Sequence, residues 1–547
     1  MSDRDTRTER AILGIDLGIT GVTMALFDED GRTRVVPNAD GDDSTPAVLH
    51  LFEADGVAVG TEARKMMAIE PHLVVEDLPW RLGEADWRPQ MHGQSWTAQE
   101  LVGLLLRKLR EDASELRGAE IRRAVLAVPA WYDSARRAAA VAAAQLGGLE
   151  VKSLVNQPLC AALGAEVPTR ADDGTVVVFD LGGRDLEITL LQKEGEALTV
   201  RSSTVRYDLC VRAFELKLRA LLVDKYRAVS PNRGTEDEHL AQQVVDAAHA
   251  AIAALGHRDV AATRIAHAGV QVKVEIDRDT FGAHTAGLVV SAVGLIDTAL
   301  AEIGESLADV SCCVAVGRGC RLPNVRRALQ ERFGERLLLP SHPDQVVALG
   351  AARLAVLRHD RSHPGLSAKP LERPRTEDVP RERLDEPAPS TTRAAIGLAD
   401  GGHVDTSLQL RDATTQDLGL IALDRERQER VIRLIPKGTP VPCEVKGRFT
   451  YAYEGMTGVR VEVTEGDGAA RDEVTVIGVV ELRGLPPRPV GTPIEIIYRY
   501  GEDRILQVQV LDVDTGIRRD GDIHYRGSLS EDEVRRATRR SDTIQLD

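Results

Sequence analysis

Two segments of the sequence place a carboxylate beside a glycine turn at the end of an apolar strand. The first is GIDLGITG from Gly14 to Gly21, and the second is FDLGGRDLE from Phe179 to Glu187. Glycines allow a backbone to approach a phosphate, so that N–H groups face the anion, and a carboxylate can hold the water shell of Mg²⁺. One hairpin of this kind is usually only a hairpin. Two copies in one chain predict duplicated halves that clamp the phosphates of one nucleotide.

Two later segments could complete a nucleotide site. VGRGCRLP, from Val316 to Pro323, predicts a strand, a glycine turn and a helix start, and it could bring an arginine plane against an adenine ring. HPDQVVALGAA, from His342 to Ala352, predicts a capped helix rich in small residues. Close packing of that helix explains its composition nearly as well as a role in a site does.

The elements that must position these motifs alternate between strands and helices through residue 358. Apolar runs predict strands, and apolar positions at helical spacing predict helices. We expect strands within 11–27, 48–59, 124–128, 175–192 and 312–316, and helices over 98–117, over 134–146 and from about Asn324. We expect 48–59 to continue the sheet that begins with 11–27. This alternation indicates an α/β architecture.

The chain changes character after residue 358. Residues 359–405 carry repeated proline and dense charge of both signs, which predicts an extended linker. Residues 406–527 contain alternating runs such as VRVEV and ILQVQV between turn signals, which predicts an all-β sandwich. Residues 528–547 place Ser530 and Glu533 at the spacing of a capping box, which predicts a short helical tail.

Composition excludes several classes of function. The 547 residues suggest about three domains, and 43% hydrophobic with 28% charged residues is typical of soluble globular proteins. The net charge of -16 argues against nucleic acid as a partner. The six cysteines show no metal-ligand spacing, which favours reduced thiols and a cytoplasmic location. The polar N-terminus and the lack of about 18 consecutive apolar residues predict neither a secretory signal nor a membrane partner.

The order of the motifs resembles the heat shock protein 70 chaperone family, of the DnaK type, within the actin-like ATPases. The family's G-I-D-L-G-T-T, D-L-G-G-G-T-F-D and G-G-S-T-R-I-P match GIDLGIT, DLGGRDLE and GRGCRLP, and its P-D-E-A-V-A-x-G-A-A matches PDQVVALGAA. Further matches are VPAWY at Val128–Tyr132, GLEVKSLVNQPLCAA at Gly148–Ala162 and IEIIYRYGEDRILQVQVLDVDTG at Ile494–Gly516. The resemblance implies an α/β actin-like ATPase domain of two duplicated lobes over 1–358, followed by an all-β sandwich that binds peptide.

The resemblance also implies site residues and partners. Asp16 and Asp180 would hold a hydrated Mg²⁺, and Asp344 would assist near the ion as a third catalytic carboxylate. The residues implied to line the phosphates are Gly18, Thr20, Gly21, Gly182 and Gly183, and those implied to flank the adenosine are Gly317 and Arg321. The implied cofactors are ATP or ADP with Mg²⁺. The implied partners are a client polypeptide or partner protein and cochaperones.

Several departures from the family fall on residues that carry chemistry. Pro79 or Trp80 stands where the family has a catalytic lysine, and loss of such a charge usually slows phosphoryl transfer. Gln157 replaces a glutamate near the ion and loses its charge. In the second phosphate turn, Arg184 could pair with phosphate and Asp185 would repel it, or both could be solvated loop charges.

Other departures weaken nucleotide contacts and domain coupling. Cys210–Ala213 and His249–Gly256 match a phosphate turn and an adenosine helix of the family without their charged contacts. Leu384 stands almost alone in the polar linker, and Arg425–Val431 is polar where the family's peptide loop is apolar. The tail 528–547 would be a vestigial lid. We therefore expect separately folding units, a polar client, and a client affinity that changes little with ATP.

Three functions fit parts of this pattern. The first is an ATP-binding chaperone of the family with weak or degenerate hydrolysis. The second is a pseudo-ATPase scaffold or regulatory protein that keeps the fold and does not hydrolyse ATP. The third is a sugar kinase or an actin-like filament protein, and the C-terminal sandwich argues against it.

Overall fold

The protein is a mixed α/β structure with several sheets. The computed structural model describes residues 11–27, 32–229, 238–267, 270–359, 395–396, 409–501 without 415 and 425, 506–525 without 522, and 529–547. The α-helices in these ranges are Thr61–Lys65, Ala98–Arg117, Ser134–Leu146, Gln157–Gly164, Val167–Arg170, Val211–Val229, Glu238–Leu255, Arg278–Glu302, Pro323–Phe333, Val346–His359 and Glu531–Thr543. Short 3₁₀ helices are Met66–Ala68, Pro71–Leu73, Leu78–Arg81, Leu307–Asp309, Arg318–Arg321, Gly334–Arg336 and Arg471–Glu473.

The first sheet contains the first predicted hairpin, which is confirmed. Its strands lie in the order Glu150–Asn156, Arg123–Val128, Ile12–Leu17, Gly21–Phe27, Thr33–Val36 and Ala395–Ile396, and Ser44–Pro46 also pairs with Gly21–Phe27. Ile12–Leu17 runs antiparallel to Gly21–Phe27 and parallel to Arg123–Val128. This central strand is buried almost throughout, as expected of a strand with partners on both sides.

The second sheet contains the second hairpin and repeats this arrangement. Its strands lie in the order Leu337–Leu338, Val310–Val316, Gly174–Leu181, Leu186–Glu194, Ala197–Arg206, Gln409–Ala413 and Pro440–Val441. The hairpin is antiparallel, and Val310–Val316 runs parallel to Gly174–Leu181 on its other side. As a result, Asp16 and Asp180 hold the same next-to-last position in equivalent strands.

The helix Val346–His359 packs closely on its neighbours through small residues. A Cβ atom on Gly14 would overlap the backbone of Ala352, and a Cβ atom on Gly350 would overlap the carbonyl of Cys160. Backbones can approach this closely only where glycine is present. The close-packing interpretation of the small residues in HPDQVVALGAA is therefore confirmed.

Residues 48–59 do not continue the first sheet, so that prediction is wrong. Val48–Leu51 and Gly56–Val59 pair with each other, and a separate small sheet adds Val74–Glu76 and Gln545–Leu546 at its edges. The apolar pattern predicted the strands correctly but carries no information about which strand lies beside them. Other short pairings are Gln90–Met91 with Gln94–Ser95 and Val260–His267 with Val270–Asp277.

Helix predictions based on local signals are confirmed. Ala98–Arg117 and Ser134–Leu146 have the predicted bounds. The tail helix Glu531–Thr543 begins at the predicted cap, where the Ser530 hydroxyl accepts from the N–H of Glu533 and the Glu533 carboxylate accepts from the N–H of Ser530. These signals lie within one helical turn, so they do not depend on the rest of the fold.

The C-terminal region forms a third and a fourth sheet. The third has the order Glu429–Ile435, Leu418–Leu423, Met456–Glu465, Thr475–Arg488 and His524–Tyr525, and the fourth has the order Cys443–Thr450, Pro493–Tyr500, Leu506–Asp512 and Arg518–Gly521. Leu420 and Val463 of the third sheet share a core with Val508 of the fourth. Tyr498 also joins the sheets, because its hydroxyl donates to the carbonyl of Gly419 at 2.9 Å.

Contacts join the C-terminal region to the first 358 residues. Gln409–Ala413 runs parallel to Ala197–Arg206 at the edge of the second sheet. At the other end of the region, Gln545–Leu546 pairs with Gly56–Val59, and Arg107 Nη1 donates to the carbonyl of Ile544 at 3.1 Å. The tail therefore packs on the first region, a contact that its sequence alone did not indicate.

Most of the predicted linker 359–405, including Leu384, lies outside the described residues. The exceptions are His359 at the end of its helix and Ala395–Ile396, which pairs with Thr33–Val36. The expectation of a client affinity insensitive to ATP assumed a connection with few contacts. That prediction rests on the polar linker and the short tail, and most of the linker lies outside the described residues, so it stays a prediction.

One described helix, Arg278–Glu302, is long and apolar enough by length and composition to cross a membrane, with a mean hydropathy of 1.4 over the tested window. Phe281, Ala292 and Ile296 of this helix are buried in the core beside the second sheet. Core helices of this kind meet the same criterion, so the helix is weak evidence for a membrane span. All six cysteines are free, and all are buried apart from the partly exposed Cys443, as predicted.

Candidate functional site

The turns of the two hairpins meet at a cavity of about 80 Å³. The predicted site residues that line it are Asp16, Gly18, Thr20, Gly21, Asp180, Gly182, Gly183, Gly317 and Asp344. Arg321 is the predicted site residue that does not line it. The folded chain thus brings together residues from GIDLGITG, DLGGRDLE, GRGCRLP and PDQVVALGAA, which are far apart in the sequence.

Strand pairing brings the carboxylates to one place. Asp16 pairs with Thr23 across the first hairpin, and Asp180 pairs with Glu187 across the second. The two turns also touch, since a Cβ atom on Gly183 would overlap the side chain of Thr20. Glycine at this position allows the second turn to lie directly against the first.

Burial raises the pKa of three carboxylates in the cavity, Asp16, Asp180 and Glu187. Loss of water raises the pKa of Asp16 to about 7, although Gln157 Nε2 donates to Asp16 Oδ1 at 2.6 Å and opposes the shift. Burial also raises the pKa of Asp180 well above its ordinary value, with repulsion from Asp185 the next cause. Burial raises the pKa of Glu187 to about 7. A cation among these groups would favour their ionised forms.

An apolar and aromatic cluster occupies the position that the resemblance assigned to a lysine. Pro79 is buried, and its carbonyl accepts a hydrogen bond from the Tyr132 hydroxyl at 2.6 Å. The ring of Trp80 lies 5.2 Å from that of Tyr207 and 5.4 Å from that of Trp131. The described lining of the cavity contains no lysine. Neither Pro79 nor Trp80 therefore provides the positive charge that a lysine at this position would have.

Both substituted residues of the second turn bind to other parts of the chain. Arg184 Nε donates to Asp77 Oδ2 at 2.5 Å, and Trp131 Nε1 donates to Asp185 Oδ2 at 2.7 Å. Arg212 lies 3.8 Å from the same Asp77 carboxylate. Arg184 is therefore not a free loop charge, because Asp77 engages its guanidinium.

The segment Cys210–Ala213 contacts the second turn through its backbone. The N–H of Val211 donates to the carbonyl of Gly182 at 3.0 Å, and the N–H of Arg212 donates to the carbonyl of Gly183 at 3.2 Å. These N–H groups stand at the start of the helix Val211–Val229, where they have no partner within the helix. The helix start therefore supports the second turn.

The predicted adenosine side has a glycine that no other residue could replace easily. Gly317 has a φ of 85°, and a Cβ atom there would overlap the carboxylate of Asp180 and the carbonyl of Leu181. Arg321, by contrast, is held by Asp344, with Nε and Nη2 at 3.0 Å and 2.5 Å from Asp344 Oδ1. The arginine predicted to flank the adenosine and the aspartate predicted to assist near the ion are therefore paired with each other.

Sequence reasoning missed Glu187, Ser44 and Arg318 as residues of the cavity lining. Glu187 had a usable signal, because a hairpin with its turn at Gly182–Asp185 places it opposite Asp180. Ser44 belongs to a strand paired with Gly21–Phe27, and long-range pairing leaves no local signal. Arg318 lies in the motif GRGCRLP, in which the resemblance implied Arg321 as the site arginine.

Comparison with known proteins identifies the family. The family model described as Hsp70 protein matches residues 12–85, 81–364 and 393–546. Chaperone protein DnaK of Thermotoga petrophila is 27% identical over 533 residues, which are 96% of this chain and 82% of that protein. The chaperone proteins DnaK of Thermosipho africanus and Halobacterium salinarum are 25% and 26% identical over 530 residues, which are 96% of this chain and 81% and 76% of those proteins.

The matched segments include both hairpins, all of the motifs that line the cavity, and the C-terminal sheets. Together they span well over half of the chain. The order of the motifs, their meeting at one cavity and the family match agree with one another. The chain belongs to the Hsp70 family.

Proposed function

We propose that this Hsp70-family protein is a chaperone that binds Mg-ATP between its first and second sheets and hydrolyses it weakly. The observation that carries the proposal is the meeting of two glycine turns at one cavity, with Asp16 and Asp180 beside them. Client polypeptides and cochaperones as partners, and a cytoplasmic location, belong to the same proposal by analogy with the family.

The proposed organisation follows the sequence boundaries. Residues 1–358 act as a two-lobed actin-like ATPase domain, 359–405 as a linker, 406–527 as a peptide-binding sandwich and 528–547 as a short helical tail. The hairpin and parallel strand repeated in both sheets support duplicated lobes. The core shared by the third and fourth sheets supports a sandwich.

The chemistry of the donors fits Mg²⁺. Burial raises the pKa of Asp16 and Asp180, so a divalent cation would relieve an unfavourable grouping of carboxylates. Among the described residues, no three His, Cys, Asp or Glu side chains are placed to ligate a metal directly. Asp16 and Asp180 would therefore hold the ion through water, which suits the hydrated Mg²⁺. The ion would supply charge that compensates the phosphates.

The remaining predicted residues would bind and orient the nucleotide. Gly18, Thr20 and Gly21 from one turn, and Gly182 and Gly183 from the other, would face the phosphates. Backbone N–H groups at such turns bind anions without side-chain charge.

The adenosine side of the nucleotide would lie near Gly317. Arg321 and Asp344 would act there as a pair, since they are bonded to each other. In that arrangement Asp344 would orient Arg321 through Oδ1. Its other carboxylate oxygen, Oδ2, would stay available to the water around the ion.

Weak hydrolysis is proposed because two charges are missing. Pro79 and Trp80 provide no cation for the transferred phosphate, and removal of one such stabilising group costs roughly 100- to 1,000-fold in rate. Gln157 donates a hydrogen bond to Asp16 through its amide and brings no negative charge to the ion. The alternative, a pseudo-ATPase scaffold, is favoured by the contacts of Arg184 and Asp185 with the chain itself.

The client is proposed to be more polar than an apolar chaperone peptide. In the loop that matches the family's peptide loop, Arg430 lies 3.2 Å from Asp424, and Glu429 lies 3.2 Å from Arg471. These exposed ion pairs make the loop a polar surface, with Arg425 outside the described residues. A docking surface for a partner protein remains the alternative use of this region.

Calorimetric titration of ATP, with and without Mg²⁺, tests the proposal. We expect binding that is tighter with Mg²⁺, and we expect Asp16→Asn to remove the contribution of Mg²⁺ because the hydrated ion loses an anchor. Asp472→Asn, an exposed aspartate of the C-terminal region, should bind as the unaltered protein does. Absence of any ATP binding would reject the nucleotide site and favour the scaffold.

A further inference from the structure

Arg318 extends from the second sheet to the first phosphate turn. It follows Gly317 at the end of the strand Val310–Val316, its side chain is exposed, and it lines the cavity. A Cβ atom placed on Gly21 would lie 3.2 Å from Arg318 Nη2. The missing side chain of Gly21 thus leaves room for the guanidinium on the side of the first sheet.

The charge of the cavity lining makes this arginine unusual. The lining carboxylates are Asp16, Asp180, Asp185, Glu187 and Asp344. In the part of the chain that the structure describes, Arg318 is the single lysine or arginine of the lining. It is 3₁₀-helical, like Arg321, but Arg321 is bonded to Asp344 whereas no hydrogen bond or ion pair of the described residues uses the Arg318 side chain.

A guanidinium that lines a cavity and has no hydrogen-bond or ion-pair partner among the described residues is available to an anionic ligand in that cavity. We propose that Arg318 binds the phosphate groups of the nucleotide. The planar guanidinium can donate two parallel hydrogen bonds to phosphate oxygens, so an arginine suits this task. The inference rests on the proposed nucleotide function and adds a phosphate-binding residue to it.

Calorimetric titration of Arg318→Gln and Arg318→Lys, in the full chain with Mg²⁺, tests the inference. The ligands are ATP, inorganic triphosphate and adenosine. For Arg318→Gln we expect the Kd of ATP and of inorganic triphosphate to rise about tenfold or more, as loss of a charge-assisted hydrogen bond predicts. The Kd of adenosine should not change, and Arg318→Lys should recover part of the affinity because it keeps the charge.

Arg327→Gln is the matched control, since Arg327 is an exposed arginine of the next helix that lies 3.8 Å from Glu331 and outside the cavity. It should leave every Kd unchanged. If Arg318→Gln binds ATP as tightly as the unaltered protein or more tightly, Arg318 does not bind phosphate, and the nucleotide site itself stands. If the unaltered protein binds none of the phosphate ligands, the nucleotide function and this inference fail together.

Discussion

The two hairpins share a backbone design but differ in what their turns contact. In the first, Gly18 and Gly21 line the cavity, and the space beside Gly21 is taken by Arg318, whose side chain makes no hydrogen bond or ion pair with the described residues. In the second, Arg184 is bonded to Asp77. The carbonyls of this second turn also accept hydrogen bonds from the start of a helix.

This difference indicates that a phosphate-binding backbone and its side chains can change roles separately. The glycines of both turns remain, so the second turn can still lie against the first. The substituted residues Arg184 and Asp185 bind the chain, which fixes the second turn but places no charge where a phosphate could use it. Binding and hydrolysis therefore need not be lost together.

The largest stability effect is expected at the ion pair of the second hairpin. Arg184→Gln and Asp77→Asn should each lower the free energy of unfolding by about 2 kcal/mol, since each leaves a charge-assisted hydrogen bond unmade. The side chains are 30% and 13% exposed, so water screens the pair only in part. Denaturant titration of both single variants and the double variant gives their coupling energy.

The exposed pair of Arg206 with Asp208 provides the control for that cycle, with side chains 49% and 64% exposed. Arg206→Gln should cost about 0.5 kcal/mol or less. Additive effects of Arg184→Gln and Asp77→Asn would mean that the second turn is not held by this pair.

A somewhat smaller effect is expected where the two hairpins touch. Gly183→Ala should lower the free energy of unfolding by about 1–2 kcal/mol, because the added Cβ would overlap Thr20. Gly287→Ala, in a helix with open space around it, should instead be neutral or stabilising. Thermal unfolding of both variants and of the unaltered protein measures these differences in stability. Equal stability of Gly183→Ala and the unaltered protein would place the turns farther apart than described.

The smallest effect is expected at Trp131. Trp131→Phe removes the N–H donor to Asp185 and should cost about 1 kcal/mol. Burial already raises the pKa of Asp185 to about 6, and loss of this hydrogen bond to the ionised form should raise it further. Carboxyl NMR titration of the protein without Mg²⁺ and nucleotide measures the shift. A pKa of Asp185 that falls in the variant would contradict the assignment of this contact.

The sign of the accompanying pH effect follows from linkage. Because the pKa of Asp185 is higher in the folded chain than in the unfolded chain, its stabilising contribution is complete at low pH. That contribution is lost as the pH rises from about 4 through about 6. In Trp131→Phe the loss should extend to higher pH.

The sequence predicted the features that depend on neighbouring residues. The cap at Ser530, the bounds of Ala98–Arg117 and the strand–turn–strand at Ile12–Phe27 need only local spacing and apolar patterning. The cavity lining was largely predictable as well, because the family resemblance placed four separate motifs at one site.

The sequence could not predict which distant groups become partners. Asp77 and Arg184 are 107 positions apart, and nothing near either residue indicates the other. The strand Gln409–Ala413 was predicted as part of the C-terminal region, yet it pairs at the edge of the second sheet. Such pairings depend on how the whole chain packs, and local sequence patterns carry little information about that packing.

Single-turnover cleavage of Mg-ATP, with protein in excess over ATP and above its measured Kd, tests the central claim most directly. The claim is that the first hairpin keeps nucleotide binding while the region around Pro79 and the second turn no longer supports efficient cleavage. We expect ATP to be bound and cleaved at least about 100-fold more slowly than by a DnaK protein that has the catalytic lysine, measured alongside. A cleavage rate equal to that of such a DnaK would contradict the claim.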